Sequence, residues 1–152
     1  MCDFVTKVVR LEYSTLSFLL RKTADKDARR KLVKDYLNKN MAGKEIIKEY
    51  QGNTLVIRNT KTDVKHLVHN EHLDTSLSLI EAGKLIEASE YIGENPVDLF
   101  KEETSPNDYY WYFMVNVEID SQIFSYTLVV CRNKTDKHVG LYDILNYKKK
   151  ER

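Results

Sequence analysis

YYWYFMVNVEIDSQIFSYTLVVCRNKTDKHVGLYDI, residues 109–144, reads as three strands separated by two turns. In its first segment Trp111, Phe113, Val115, Val117 and Ile119 alternate with Tyr110, Tyr112, Met114, Asn116 and Glu118. A period of two puts the first set on one face, the face suited to a core. Asp120–Ser121 supplies a tight turn, and 122–132 returns antiparallel. NKTDK (133–137) is a polar turn, and HVGLYDI (138–144) is the third strand. The pattern predicts an antiparallel meander with Phe113, Val115, Val117, Leu128 and Val130 buried. In the middle strand Val129 and Cys131 compete with Leu128 and Val130 for the inner face.

Outward from this stretch the spacing becomes helical. Residues 3–21 carry Phe4, Val5, Val8, Leu11, Leu16, Leu19 and Leu20 mostly three and four apart, which predicts an amphipathic helix. Thr23 and Asp25 start a second helix through DARRKLVKDYLNKNM, and KEIIKEY adds one or two further turns. Gly52–Asn53 marks a turn, and LVIRN (55–59) a short strand. KTDVKHLVHNEH has no clear period. Asp74 is placed to cap a helix over TSLSLIEAGKLIEASEYI that Gly83 divides and GENP stops. SPND (105–108) is a loop, and KKKER a basic tail. The order predicts an α+β fold: N-terminal helices, a central helix, and a C-terminal antiparallel meander packed against helices. One domain over 1–152 is expected, with 1–50 as a helical extension and 54–147 as the α+β core.

Composition narrows the class. Of 152 residues, 42% are apolar and 31% charged, with only 5 Gly and 2 Pro, which excludes collagen-like and disordered chains. Two cysteines, Cys2 and Cys131, make no disulfide framework. No apolar run approaches the ~18 residues of a membrane span, and no leader is legible at the start. A soluble, cytoplasmic protein without membrane contact is expected. The net charge of +1 averages three unlike blocks. Residues 1–62 carry 14 basic and 7 acidic side chains, residues 63–130 carry 3 and 13, and residues 131–152 carry 7 and 3. Basic blocks suit phosphate backbones. An acidic middle suits a cationic partner or the chain's own helices.

Three of the four histidines, His66, His69 and His72, fall within seven residues. Imidazole titrates near neutrality, so it serves as acid or base, and it also binds zinc. Loop anchoring is the third reading of the cluster. No HExxH motif or CxxC pair accompanies it, and no metal or cofactor is expected. Lys65 precedes His66, and Arg58 ends the preceding strand. Arg132, Lys134 and Lys137 come from the turn between the last two strands. A histidine with such cations suits phosphodiester cleavage: a base takes the 2′-hydroxyl proton, and cations stabilise the charged phosphorane. Tyr142 can add a hydroxyl or stack on a base, whereas Tyr126 fits cross-strand packing. Cys131, inside an apolar run, is a poor nucleophile.

With LVIRN, the KHL of VKHLVHN, a following helix, the NPVDLF element and strands ending in VGLYDI, residues 54–147 resemble the barnase–EndoU–colicin–RelE superfamily. These are metal-independent ribonucleases, and the likeness is to phage- and toxin-associated members. The resemblance implies an antiparallel sheet with helices on one side and cleavage of RNA through the 2′-hydroxyl. It implies His66 as acid or base, assisted by Lys65 or His69, with Arg132 on the phosphate. Arg58, Lys134, Lys137 and Tyr142 would then bind nucleic acid, and the N-terminal helices would dock a target. The alternative is a non-enzymatic inhibitor, encoded by a phage or mobile element, that binds a protein or nucleoprotein partner such as a defence nuclease. It would use the acidic stretch Glu87–Glu103 as a nucleic-acid mimic, or the basic helices as a clamp.

Overall fold

The computed structural model describes residues 8–96 and 106–146. Cys2, the 97–103 part of the acidic stretch, most of NPVDLF and the KKKER tail lie outside the described residues. The fold is α+β, with the antiparallel strands at the C-terminal end as expected. Three strands form the meander: β5 (Asn107–Ile119), β6 (Gln122–Asn133) and β7 (Val139–Asn146). β5 and β6 pair from Tyr109↔Arg132 to Ile119↔Gln122, around Asp120 and Ser121 with φ of 53° and 67°. Positive φ at both central residues matches the right-handed twist of the two strands. Phe113, Val115, Val117, Leu128 and Val130 are buried, and so are Val129 and Cys131. β6 is thus enclosed on both faces. Val129 lies opposite Tyr112 and Asp143, and Cys131 opposite Tyr110 and Gly140.

The remaining strands correct the sequence reading. Within the expected first helix the described part begins with β1 (Val8–Arg10), which runs parallel to β5 at Asn116–Glu118. Helix α1 (Thr15–Lys22) follows, started by a Ser14 capping box, and α2 (Lys26–Asn40) is capped by Asp25. KEIIKEY is not helical. Glu45–Tyr50 is β2, paired antiparallel with β3 (Asn53–Arg58). On β2 Lys48 is only 7% exposed, and its Nζ donates to the carbonyls of Glu87 (3.2 Å) and Ser89 (2.6 Å). β2 therefore turns Ile46, Lys48 and Tyr50 inward and leaves Ile47 exposed, and its apolar pattern no longer marks its inner face. Residues 8–50 thus contribute strands to both sheets, which corrects their reading as a helical extension.

KTDVKHL forms α3 (Lys61–Leu67), because Thr60 and Asp63 close a capping box. The expected central helix is two: α4 (Leu73–Leu79) and α5 (Ala82–Ala88). The break falls at Ile80–Glu81 rather than at Gly83, and the Glu81 carbonyl restarts the helix by accepting from Lys84 and Leu85. Asp74 lies inside the first turn of α4, and His72 holds the cap position. GENP does not simply stop a helix: β4 (Glu90–Pro96) pairs with β5, with a bulge between Tyr91 and Gly93. β1, α1, α2, α4, α5 and the β2–β3 hairpin contribute buried side chains to one core with the inner face of β5–β7. α3 lies beside β7.

Candidate functional site

One end of the main sheet gathers most of the chemistry-bearing side chains. Asn59, just after β3, is buried and clasps the Leu141 backbone twice, accepting from its N–H and donating to its carbonyl, both at 2.8 Å. That ties the start of α3 to β7. One turn on, Asp63 accepts from the Thr60 backbone N–H and meets His138 Nε2 at 2.8 Å. In the β6–β7 turn the Asn133 side chain accepts from the N–H groups of Thr135 and Asp136. Asp136 in turn meets both the backbone N–H and the Nδ1 of His138, the latter at 2.6 Å. The imidazole is bracketed by two carboxylates. Burial alone would lower its pKa, but the bonds to Asp136 and Asp63 outweigh burial and raise it, which favours imidazolium.

Across the turn, Asp108 holds two cations. Arg132 Nε donates to one carboxylate oxygen at 2.8 Å and Lys137 Nζ to the other at 2.9 Å. These two bonds keep the Asp108 carboxyl below its usual range. The Arg132 guanidinium also lies over the Tyr109 ring, 5.7 Å from its centre. Arg58, Arg132, Lys137 and His138 line a cleft of about 520 Å³ with Glu45 and Trp111.

The sequence-derived site therefore divides. Arg58, Arg132 and Lys137 come together. Lys134 sits in the same turn, where its backbone N–H donates to the Pro106 carbonyl, but it does not line the cleft. His66 and Lys65 are exposed on α3 and lie outside the cleft lining. The His66 ring stacks on Tyr142, with centres 3.9 Å apart and planes 15° apart. Tyr142 is half-buried on β7, and burial raises its hydroxyl pKa. Arg132 keeps the parity of Leu128 and Val130, the side of β6 that enters the core. His69 is exposed, and its carbonyl accepts from Arg30. Cys131 is a free, buried thiol with its pKa pushed up by burial, which removes it as a nucleophile.

The sequence reading passed over His138, Asp63, Asp136, Asp108 and Asn59. Two signals pointed to them: the Thr60–Asp63 capping-box spacing, and an aspartate two residues before His138 in a turn. Among the described residues no three His, Cys, Asp or Glu side chains converge as metal ligands. No described helix is long and apolar enough to cross a membrane. No protein-family model, curated protein or solved structure matches the chain.

Proposed function

We propose that this chain is a non-enzymatic binding protein that docks a protein or nucleoprotein partner; an inhibitor of a nuclease is one example of the class. The observation that carries the reading is the surface beside α1. Tyr13, Phe18 and Leu19 are 71%, 57% and 44% exposed, while the same helix buries Ser17 and Leu20. Three large apolar side chains within seven residues exceed the scattered single ones of an ordinary surface. Arg21 lies over the Tyr13 ring and Lys22 over the Phe18 ring. Aromatic and arginine side chains of this kind dominate interface energies. The non-catalytic part of the reading is supported by the division of the site. His66 stacks on Tyr142, whereas both ring nitrogens of His138 and two nearby cations are fastened to carboxylates.

The test compares the tagged full chain with a Phe18→Asp, Leu19→Asp variant, recovered from cells that carry the gene. The wild type is expected to return a stoichiometric partner that the variant loses, with the unfolding midpoint unchanged. Equal recovery by both overturns the reading. So does cleavage of RNA in EDTA that His66→Ala abolishes. A second reading, metal-independent RNA cleavage, is favoured by the cleft that joins Arg58, Arg132 and Lys137 to His138. That reading requires a product ending in a cyclic phosphate and a large loss of rate in His138→Ala, typically 10²–10⁴-fold for a lost acid–base group.

A further inference from the structure

The cleft between the β2–β3 hairpin and the β6–β7 turn is lined by Arg58, Arg132, Lys137 and His138 against one acid, Glu45. The carboxylates that orient these groups, Asp108, Asp63 and Asp136, are not among the residues lining it. Both ring nitrogens of His138 are committed to Asp136 and Asp63, but the other three cations keep donors in reserve. Arg132 commits Nε to Asp108, and neither of its Nη groups has a hydrogen-bond partner among the described residues. Lys137 commits one bond to Asp108, and an ammonium has three N–H groups. Arg58 stands opposite Glu45 in the β2–β3 ladder, yet among the described residues it makes no ion pair within 4.0 Å.

We infer that this cleft binds a phosphate monoester dianion. A guanidinium fork matches two oxygens of a tetrahedral oxyanion, and Arg58 and Arg132 present such forks from different elements. Lys137 adds an ammonium from a third, the turn, whose backbone is fixed by Asn133 and by His138 held between Asp136 and Asp63. A monoester carries close to two charges near neutral pH, against one for an internal diester. It suits several cations gathered in one open cleft better than a single-charged backbone, which is read by a long cationic groove. The volume, about 520 Å³, falls in the range of small-ligand sites. A free mononucleotide and the phosphorylated end of an RNA share this chemistry. No cleft-lining residue belongs to α1 or the segment before it, so the inference stands apart from the partner-docking reading.

Calorimetric titration of the full chain with inorganic phosphate, a nucleoside 5′-monophosphate, and one short RNA bearing either a 5′-phosphate or a 5′-hydroxyl tests it. Saturable binding of phosphate is expected, and the 5′-hydroxyl RNA should fail to bind. Preference for the nucleotide over the phosphorylated RNA, or the reverse, identifies the source. Arg58 is exposed and its side chain makes no hydrogen bond among the described residues, so Arg58→Ala should fold normally and weaken binding roughly ten- to a hundredfold. Arg132→Lys keeps the charge and removes the fork, and it should weaken binding too. Absence of saturation by phosphate, unchanged affinity in either variant, or equal binding of the two RNAs overturns the inference.

Discussion

Arg29 and Glu71 form a two-pronged ion pair between α2 and the segment that leads into α4. Nε meets Oε2 at 2.8 Å and Nη2 meets Oε1 at 3.0 Å, with the Glu71 side chain only 1% exposed. Burial alone would raise the Glu71 pKa, but the bonds from Arg29 and from Ser76 Oγ (2.7 Å) hold it below its usual value. Arg30 acts alongside, donating to the carbonyls of Val68 and His69. Two cations of the basic 1–62 block are therefore internal ties, and the acidic middle of the chain supplies part of their partner set.

Arg29→Ala leaves a buried carboxylate without its counter-charge. Removing one partner of such a pair costs about 3–5 kcal/mol, whereas Arg29→Met with Glu71→Leu should recover most of it. Urea unfolding of the three proteins measures both quantities. A single-variant loss below about 1 kcal/mol would show that the pair is not the tie described.

The His138 cluster sets a pH dependence with a defined sign. The imidazole pKa is raised above 6.5 in the folded chain, so its contribution is complete below pH 6.5 and is lost as pH rises through the folded value. The Asp136 carboxyl is held below 3.8 by the backbone N–H and then the ring of His138. Its contribution is present above pH 3.8 and fades as pH falls. The stability difference between wild type and His138→Gln should be largest between these limits and shrink on the alkaline side. A difference that stays constant from neutral to alkaline pH refutes the assignment.

Gly140→Ala probes the same corner sterically. A Cβ there would stand 2.6 Å from Asp63 Oδ2 and 3.3 Å from Asn59 Oδ1. Neither neighbour is free to withdraw, since Asp63 holds Thr60 and His138 while Asn59 clasps Leu141. The expected loss is about 1–3 kcal/mol by thermal unfolding. A melting temperature equal to wild type would mean that α3 can slide on β7.

Tyr126→Phe tests the buried tie between β6 and α4. The hydroxyl donates to Asp74 Oδ2 at 2.8 Å and accepts from Ser78 Oγ at 3.3 Å, and the side chain is fully buried. A hydrogen bond to a carboxylate contributes about 1.5–3 kcal/mol, and that loss should register in denaturant unfolding with an unchanged slope. A variant as stable as the wild type would remove this tie from the account of the core.

Legibility in the sequence followed how local each determinant is. Trp111 to Ile119 alternate because one face of β5 is core, and the Asp120–Ser121 turn is specified by its own two residues, so the meander could be read directly. β2 could not. Its inward set contains Lys48, whose charge is accommodated by carbonyls at the end of α5, 39 and 41 residues further along the chain. β1 was hidden in a helical spacing because Val9 is fixed by its ladder to Val117. The cations Arg58, Arg132 and Lys137 were found from type and position, since strand ends and turns expose them. His138 was not, because its role depends on Asp63, 75 residues earlier.

The parallel pairing of β1 with β5 has a consequence for synthesis on the ribosome. Arg10 emerges 108 residues before Glu118, the residue it meets across the ladder. At translation rates of 5–20 residues per second, the first strand waits about 5–20 s for its partner to be made. The turn that joins β5 to β6 follows directly behind, so the hairpin can close as soon as it clears the exit tunnel. Vectorial synthesis thus leaves the earliest described strand of this sheet without its partner until most of the chain has been made.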